Sequence, residues 1–151
     1  MHRSVVCGVD ASAESHVAVR VAAQLSARLG LRLVVAHVAE AAVDGTPAVL
    51  EPEEVEELRA CEILLEHVAR DEGLVDAELL LVEGEPAEQL ARLADDEDAE
   101  LILVGSRGHG AFKAALRGSV SRNLISLAHC PVVVVPPGLS SAAAPPRRPG
   151  S

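Results

Sequence analysis

Apolar residues along this chain follow two rhythms that take turns. Short, nearly continuous apolar runs occur at residues 4–9 (SVVCGV), 31–38 (LRLVVAHV), 75–82, 101–105 (LILVG) and 132–135 (VVVV). Runs apolar at neighbouring positions predict strands covered on both faces. Between them, apolar residues return at helical intervals: Val17, Val21, Leu25 and Leu29, then Val55, Leu58, Leu65 and Val68, and finally Val120, Leu124, Leu127 and Ala128. Each set predicts one buried face of a helix. Ser12 is placed to cap the first helix and Gly30 to stop it. The second is expected over roughly Pro52 to Glu72, with its Glu-rich remainder a solvated face. Gly84-Glu85-Pro86 turns the third strand into a third helix, with Pro86 at its first position, and the last helix ends before Pro131.

Strands alternating with helices predict a parallel sheet covered on both faces with right-handed crossovers, a doubly wound α/β fold. With 151 residues, a single domain is expected over residues 1–137. Residues 138–151 hold Pro, Ala, Ser, Gly and Arg without periodicity and predict a disordered tail.

Composition narrows the partners. Phe112 is the only aromatic residue and the formal net charge is −10, so neither stacking platforms nor charge favour nucleic acid. No stretch reaches the length of a membrane span, and Met1-His2-Arg3 runs into an apolar strand without a signal-peptide layout, so a cytoplasmic protein is expected. Cys7, Cys61 and Cys130 are odd in number and lack paired ligand spacing, which reads as buried structural thiols.

The stretch with the most chemistry is Gly105 to Ser119, GSRGHGAFKAALRGS, with four glycines in fifteen residues. Glycines let backbone N–H groups approach an anion without a Cβ in the way, and a helix starting near Ser119 adds unpaired N–H groups and a positive dipole end. Of 23 Asp and Glu, 21 lie between Glu40 and Glu100 and none follows, whereas Arg107, Lys113, Arg117 and Arg122 fall in or beside the loop. A basic loop on an acidic chain predicts a phosphate site; the competing reading is glycines that only cap strands and turns. The loop lacks the Gly-Lys-Ser/Thr of a P-loop, and Gly108-His109-Gly110 lacks the third glycine of a dinucleotide fingerprint.

The spacing Gly105, two residues, Gly108, nine residues, Gly118-Ser119 resembles the ATP-binding class of universal stress proteins. VCGVDASAES (6–15), VEGEP (82–86) and CPVVVVP (130–136) extend the resemblance over residues 4–136. It implies a five-stranded parallel sheet in the order 3-2-1-4-5, whose order reverses between strands 1 and 4, where Asp10 and Gly105 begin the loops. By resemblance, Asp10 and Val38 contact adenine, Ala11 adds backbone contact and Gly84 lies near the ribose. Gly105, Gly108, Gly118, Ser119, Val120 and Ser121 hold the phosphates, which Arg107 can help neutralise. Taken alone, Asp10 is equally a helix-start residue and Gly84-Glu85-Pro86 a plain turn. Ala11 stands where the family commonly has glycine, which bears on the tightness of that turn.

The expected ligand is ATP, with Mg²⁺. No carboxylate follows Glu100, so Asp10 is the one evident metal candidate near the loop, while His109 reads as exposed and His37 as packed. Two classes of function follow: a nucleotide-responsive binding module, or a slow ATPase or adenylate-forming enzyme on the same fold. The lack of a carboxylate in or after the loop favours binding over efficient hydrolysis, and VDASAES lacks the Ser-Gly-Gly-x-Asp-Ser loop typical of pyrophosphatase-type adenylate-forming relatives. Val132 to Val135, if at the sheet edge, predict a homodimer through strand 5, as the resemblance also implies.

Overall fold

The computed structural model describes residues 3–10, 12–40, 51–106 and 119–136. In chain order they form β1 (Ser4–Gly8), α1 (Ala13–Leu29), β2 (Arg32–Ala39), α2 (Pro52–Asp71), β3 (Glu78–Glu83), α3 (Pro86–Asp96), β4 (Ala99–Gly105), α4 (Ser119–Leu127) and β5 (Val132–Val135). All strand pairs are parallel and the order is β3-β2-β1-β4-β5, as expected.

The continuous apolar runs are explained by two separate cores. On one face Val5, Cys7, Val35 and Leu103 pack with Val17, Ala18 and Ala22 of α1 and Leu65 and Val68 of α2. On the other, Val6, Val34, Ala36 and Ile102 pack with Leu90 and Ala94 of α3 and Leu124 of α4. Successive strand residues thus enter opposite layers, and neither face can be polar.

Local punctuation sets the ends. Gly30 closes α1 with φ +68°, a left-handed conformation that glycine adopts without a Cβ penalty. Pro86 opens α3, and Glu85 caps it, its carboxylate accepting from the N–H groups of Ala87 at 3.2 Å and Glu88 at 2.8 Å.

Several expectations need correction, among them the buried faces of α1 and α4, where Leu29 and Leu127 are exposed. β3 begins at Glu78, not residue 75, because its register with β2 starts at Val34 opposite Glu78; Val75 sits in the preceding turn and is 89% exposed. The apolar stripe of α2 is buried only at Leu65 and Val68, while Val55 is exposed. Periodicity records which residues share a helix face, not how far the neighbouring sheet extends beneath it. The thiols are mixed as well: Cys7 is fully buried, which pushes its pKa up to about 12 and makes it inert at neutral pH, whereas Cys61 and Cys130 are half-buried.

The acidic helix also carries one residue that is not a solvated charge. Glu72, capping the C-terminus of α2, has a side chain only 8% exposed. Arg20 of α1 donates to both its oxygens, Nε to Oε2 at 2.9 Å and an Nη2 to Oε1 at 3.0 Å, and His16 Nδ1 lies 3.4 Å from Oε1. The hydrogen bonds and charge of Arg20 outweigh burial and hold the Glu72 carboxyl below its ordinary pKa. A carboxyl depressed on folding contributes stability above its unfolded pKa, and that contribution is lost as pH falls through the lower folded value. Glu72→Gln is therefore expected to cost about 1 kcal/mol at pH 7, because half-exposed Arg20 is partly screened, and to flatten the acid limb of urea-unfolding stability below pH 5. An unchanged acid limb would show that the pair contributes nothing.

Candidate functional site

The order of the strands creates the site before any side chain is considered. From β1 the chain crosses to β2 and then β3 on one side, whereas β4 and β5 lie on the other. The connections leaving β1 and β4 consequently diverge to opposite faces: α1 packs in one core and α4 in the other. In doubly wound sheets the crevice that takes a ligand lies beyond the carboxyl ends of two such strands. α4 runs back toward the start of β5, where Pro131 O accepts from Ile102 N–H at 3.0 Å, so its N-terminus lies at the crevice end of the sheet.

Asp10 stands at the mouth of β1 and is held by its own neighbours. Its Oδ1 accepts from Ser12 N–H at 2.8 Å and from Ser15 Oγ at 2.8 Å, while its N–H donates to Ser15 Oγ at 2.7 Å. Both acceptor bonds fall on Oδ1, and among the described residues Oδ2 is the oxygen left for a ligand. Ser12 occupies the N-cap position in extended conformation, yet its hydroxyl makes no capping bond; it is buried, 3.4 Å from Ser15 Oγ. The helix-start and ligand readings of Asp10 are therefore compatible, since one oxygen serves each.

At Val38 the backbone, not the side chain, is turned toward the end of β1. Its side chain is buried in the core beneath α3 and α4. Residues alternate their backbone groups between neighbouring strands: Arg32 N–H reaches Arg3 O, and Ala36 O accepts from Val9 N–H at 2.8 Å, so even-numbered residues of β2 face β1. Ala39, of the opposite parity, accepts from Gly84 N–H on the β3 side at 2.9 Å. Val38 thus turns its N–H and C=O toward β1 just where β1 has ended, that is, into the crevice.

Gly105 is the last residue of β4 and Ser106 follows it, its N–H donating to Val135 O at 3.0 Å. Ser106 Oγ, which sequence reasoning passed over, is buried without a hydrogen-bond partner among the described residues. Ser119, Val120 and Ser121 form the first turn of α4, with its N–H groups and positive dipole end. Gly84 lies farther away, at the end of edge strand β3. Its φ of +140° and a would-be Cβ 2.7 Å from Gln89 Cγ explain the glycine as a turn residue. Ala11, Arg107, Gly108 and Gly118, and with them Lys113, Arg117 and His109, lie outside the described residues.

Sequence reasoning also missed Ser15, which holds Asp10 twice over. The signal was present as a serine five residues beyond an aspartate at a strand-to-helix turn. His37 is half-buried, and its ring nitrogen Nδ1 lies 2.7 Å from Val9 O. Among the described residues no group of three or more His, Cys, Asp or Glu could hold a metal ion, and no helix is long and apolar enough to cross a membrane.

The strand order and the helices on both faces define a doubly wound α/β protein. The model of the universal stress protein family matches residues 1–136, and the chain belongs to that family. A universal stress protein of Thermus aquaticus, from the QAH/OAS sulfhydrylase 3′ region, is 33% identical over 142 residues, covering 89% of this chain and 99% of the relative. Among solved structures, a universal stress protein in complex with cAMP is 28% identical with a TM-score of 0.68, over 89% of this chain and 97% of the other. The universal stress protein from Archaeoglobus fulgidus in complex with dAMP is similar in fold, with a TM-score of 0.65 at 24% identity over 89% and 98% of the two chains.

Proposed function

We propose that this chain is an ATP-binding regulatory module, with the nucleotide in the crevice between β1 and β4. The observation that carries the reading is the convergence there of Asp10, the unpaired backbone edge of Val38 and the end of β4 at Gly105. The edge offers the N–H and C=O an adenine ring can pair with, Asp10 offers a carboxylate oxygen, and the Gly105 to Ser121 segment receives the phosphates. The family member bound to cAMP supports an adenine nucleotide. Mg²⁺ is commonly held by one or two carboxylates plus phosphate oxygens, which suits a site to which Asp10 brings a carboxylate.

Binding, with hydrolysis slow or absent, is the proposed activity, because phosphoryl transfer needs a positioned nucleophile and charge stabilisation as well as a metal, and no carboxylate occurs in or after the Gly105 to Ser119 stretch. ATP occupancy then orders the loop and favours the partner-competent state, to the extent that affinity differs between states. The proposal includes a cytoplasmic homodimer joined through β5.

Mass spectrometry of ligand released from denatured protein is expected to show intact ATP. On adding ATP, product should not accumulate beyond one equivalent. Continued turnover would replace the binding module with the ATPase reading; no retained nucleotide together with no calorimetric heat would overturn both.

A further inference from the structure

We infer that His37 is a positioning residue of this site: its side chain ends the β1–β2 ladder one rung early and so leaves the Val38 N–H facing the crevice. The inference rests on the nucleotide reading only in its final step, the effect on affinity.

The next rung of the parallel ladder after Val9 N–H to Ala36 O would run from Val38 N–H to Val9 O. That backbone bond does not form. Val9 O instead lies 2.7 Å from His37 Nδ1. A carbonyl oxygen can only accept, so Nδ1 carries the proton and donates it, which fixes the tautomer of the neutral ring. His37 has the same parity as Leu33 and Val35, which pack in the α1–α2 core, and its ring approaches Val9 from that side. The carbonyl is thereby drawn out of line with Val38.

Two consequences meet at the crevice. The Val38 N–H loses the acceptor that strand pairing would have provided, and the chain leaves β1 in a direction that sends the next N–H, that of Asp10, to Ser15 Oγ. One side-chain hydrogen bond thus prepares both groups the site offers to a base. An N–H that strand pairing leaves open is one that a ligand acceptor can complete.

The test compares His37→Leu, which removes the donor, with His37→Asn, whose amide N–H replaces Nδ1–H at the same bond distance from Cβ. In the parent without nucleotide, the Val38 amide is expected to exchange rapidly with solvent deuterium and to become protected when ATP is added. In His37→Leu the rung should form, slowing Val38 exchange at least tenfold and weakening ATP binding by about tenfold, the scale of one hydrogen bond. His37→Asn should return both to within threefold of the parent. Strong Val38 protection in the parent without nucleotide would overturn the inference, whatever the fate of the variants. So would a folded His37→Leu with parental Val38 exchange, or two variants that lose stability and affinity in parallel without rescue. A parent that binds no ATP would defeat the nucleotide reading instead, and Val38 exchange in parent and variants would still decide whether His37 interrupts the ladder.

Discussion

Gly118→Val is expected to abolish ATP binding while leaving the circular dichroism of the protein unchanged. On the proposed reading, Gly118 is the residue before the first turn of α4, where phosphate must come close to the backbone. A β-branched side chain restricts that backbone and fills the space the phosphate needs. The fold should survive, because α4 is anchored by the fully buried Leu124 rather than by the approach to its N-terminus. Ser119→Ala should cost less, roughly 1.5 to 3 kcal/mol, the range of a charge-assisted hydrogen bond. Calorimetric titration of both variants checks the pair. Parental affinity in Gly118→Val would reduce the glycine loop to a structural turn.

Val134→Lys is expected to convert a dimer into a monomer, lowering the mass by light scattering from twice 15.7 kDa to 15.7 kDa. β5 occupies one edge of the sheet, with β4 on its other side. Pro131 O accepts from Ile102 of β4 and Val135 O from Ser106 just beyond it, so Val132 and Val134, of the opposite parity, turn their backbone groups to the open edge. A strand of four valines with that edge open is an association hazard, and on the proposed reading a second copy covers it. Val134 also packs partly against the core beneath α3 and α4, so lysine disturbs packing as well as pairing. Val134→Pro separates the two, since it deletes an outward N–H and no rung to β4. Both variants should be monomeric and folded by circular dichroism. A parent that scatters as a monomer at high concentration would remove the dimer from the proposal.

What the amino-acid sequence determined by itself is the set and order of elements, because each is written in short-range terms. Val17, Val21, Leu25 and Leu29 repeat at the pitch of a helix, Gly30 ends it, Pro86 begins another, and four adjacent valines have no polar face to show to water. The crossing pattern of such elements restricts the fold to a covered parallel sheet, and the order 3-2-1-4-5 followed from the family's motifs. Asp10 and Gly105 were legible as the ends of two strands that this order makes neighbours.

What only the tertiary structure decided is where one element stops because of another. Val75 and Val55 match their patterns yet lie outside the core, since the extent of a strand or buried stripe depends on the register of the neighbouring chain. Glu72 resembles every other glutamate of α2 until Arg20, fifty-two residues away, is brought to both its oxygens. The site behaves the same way. Whether the Val38 N–H pairs with β1 or faces the crevice turns on a bond from His37 to a carbonyl twenty-eight positions earlier, and no local periodicity records which of two strands keeps the last rung.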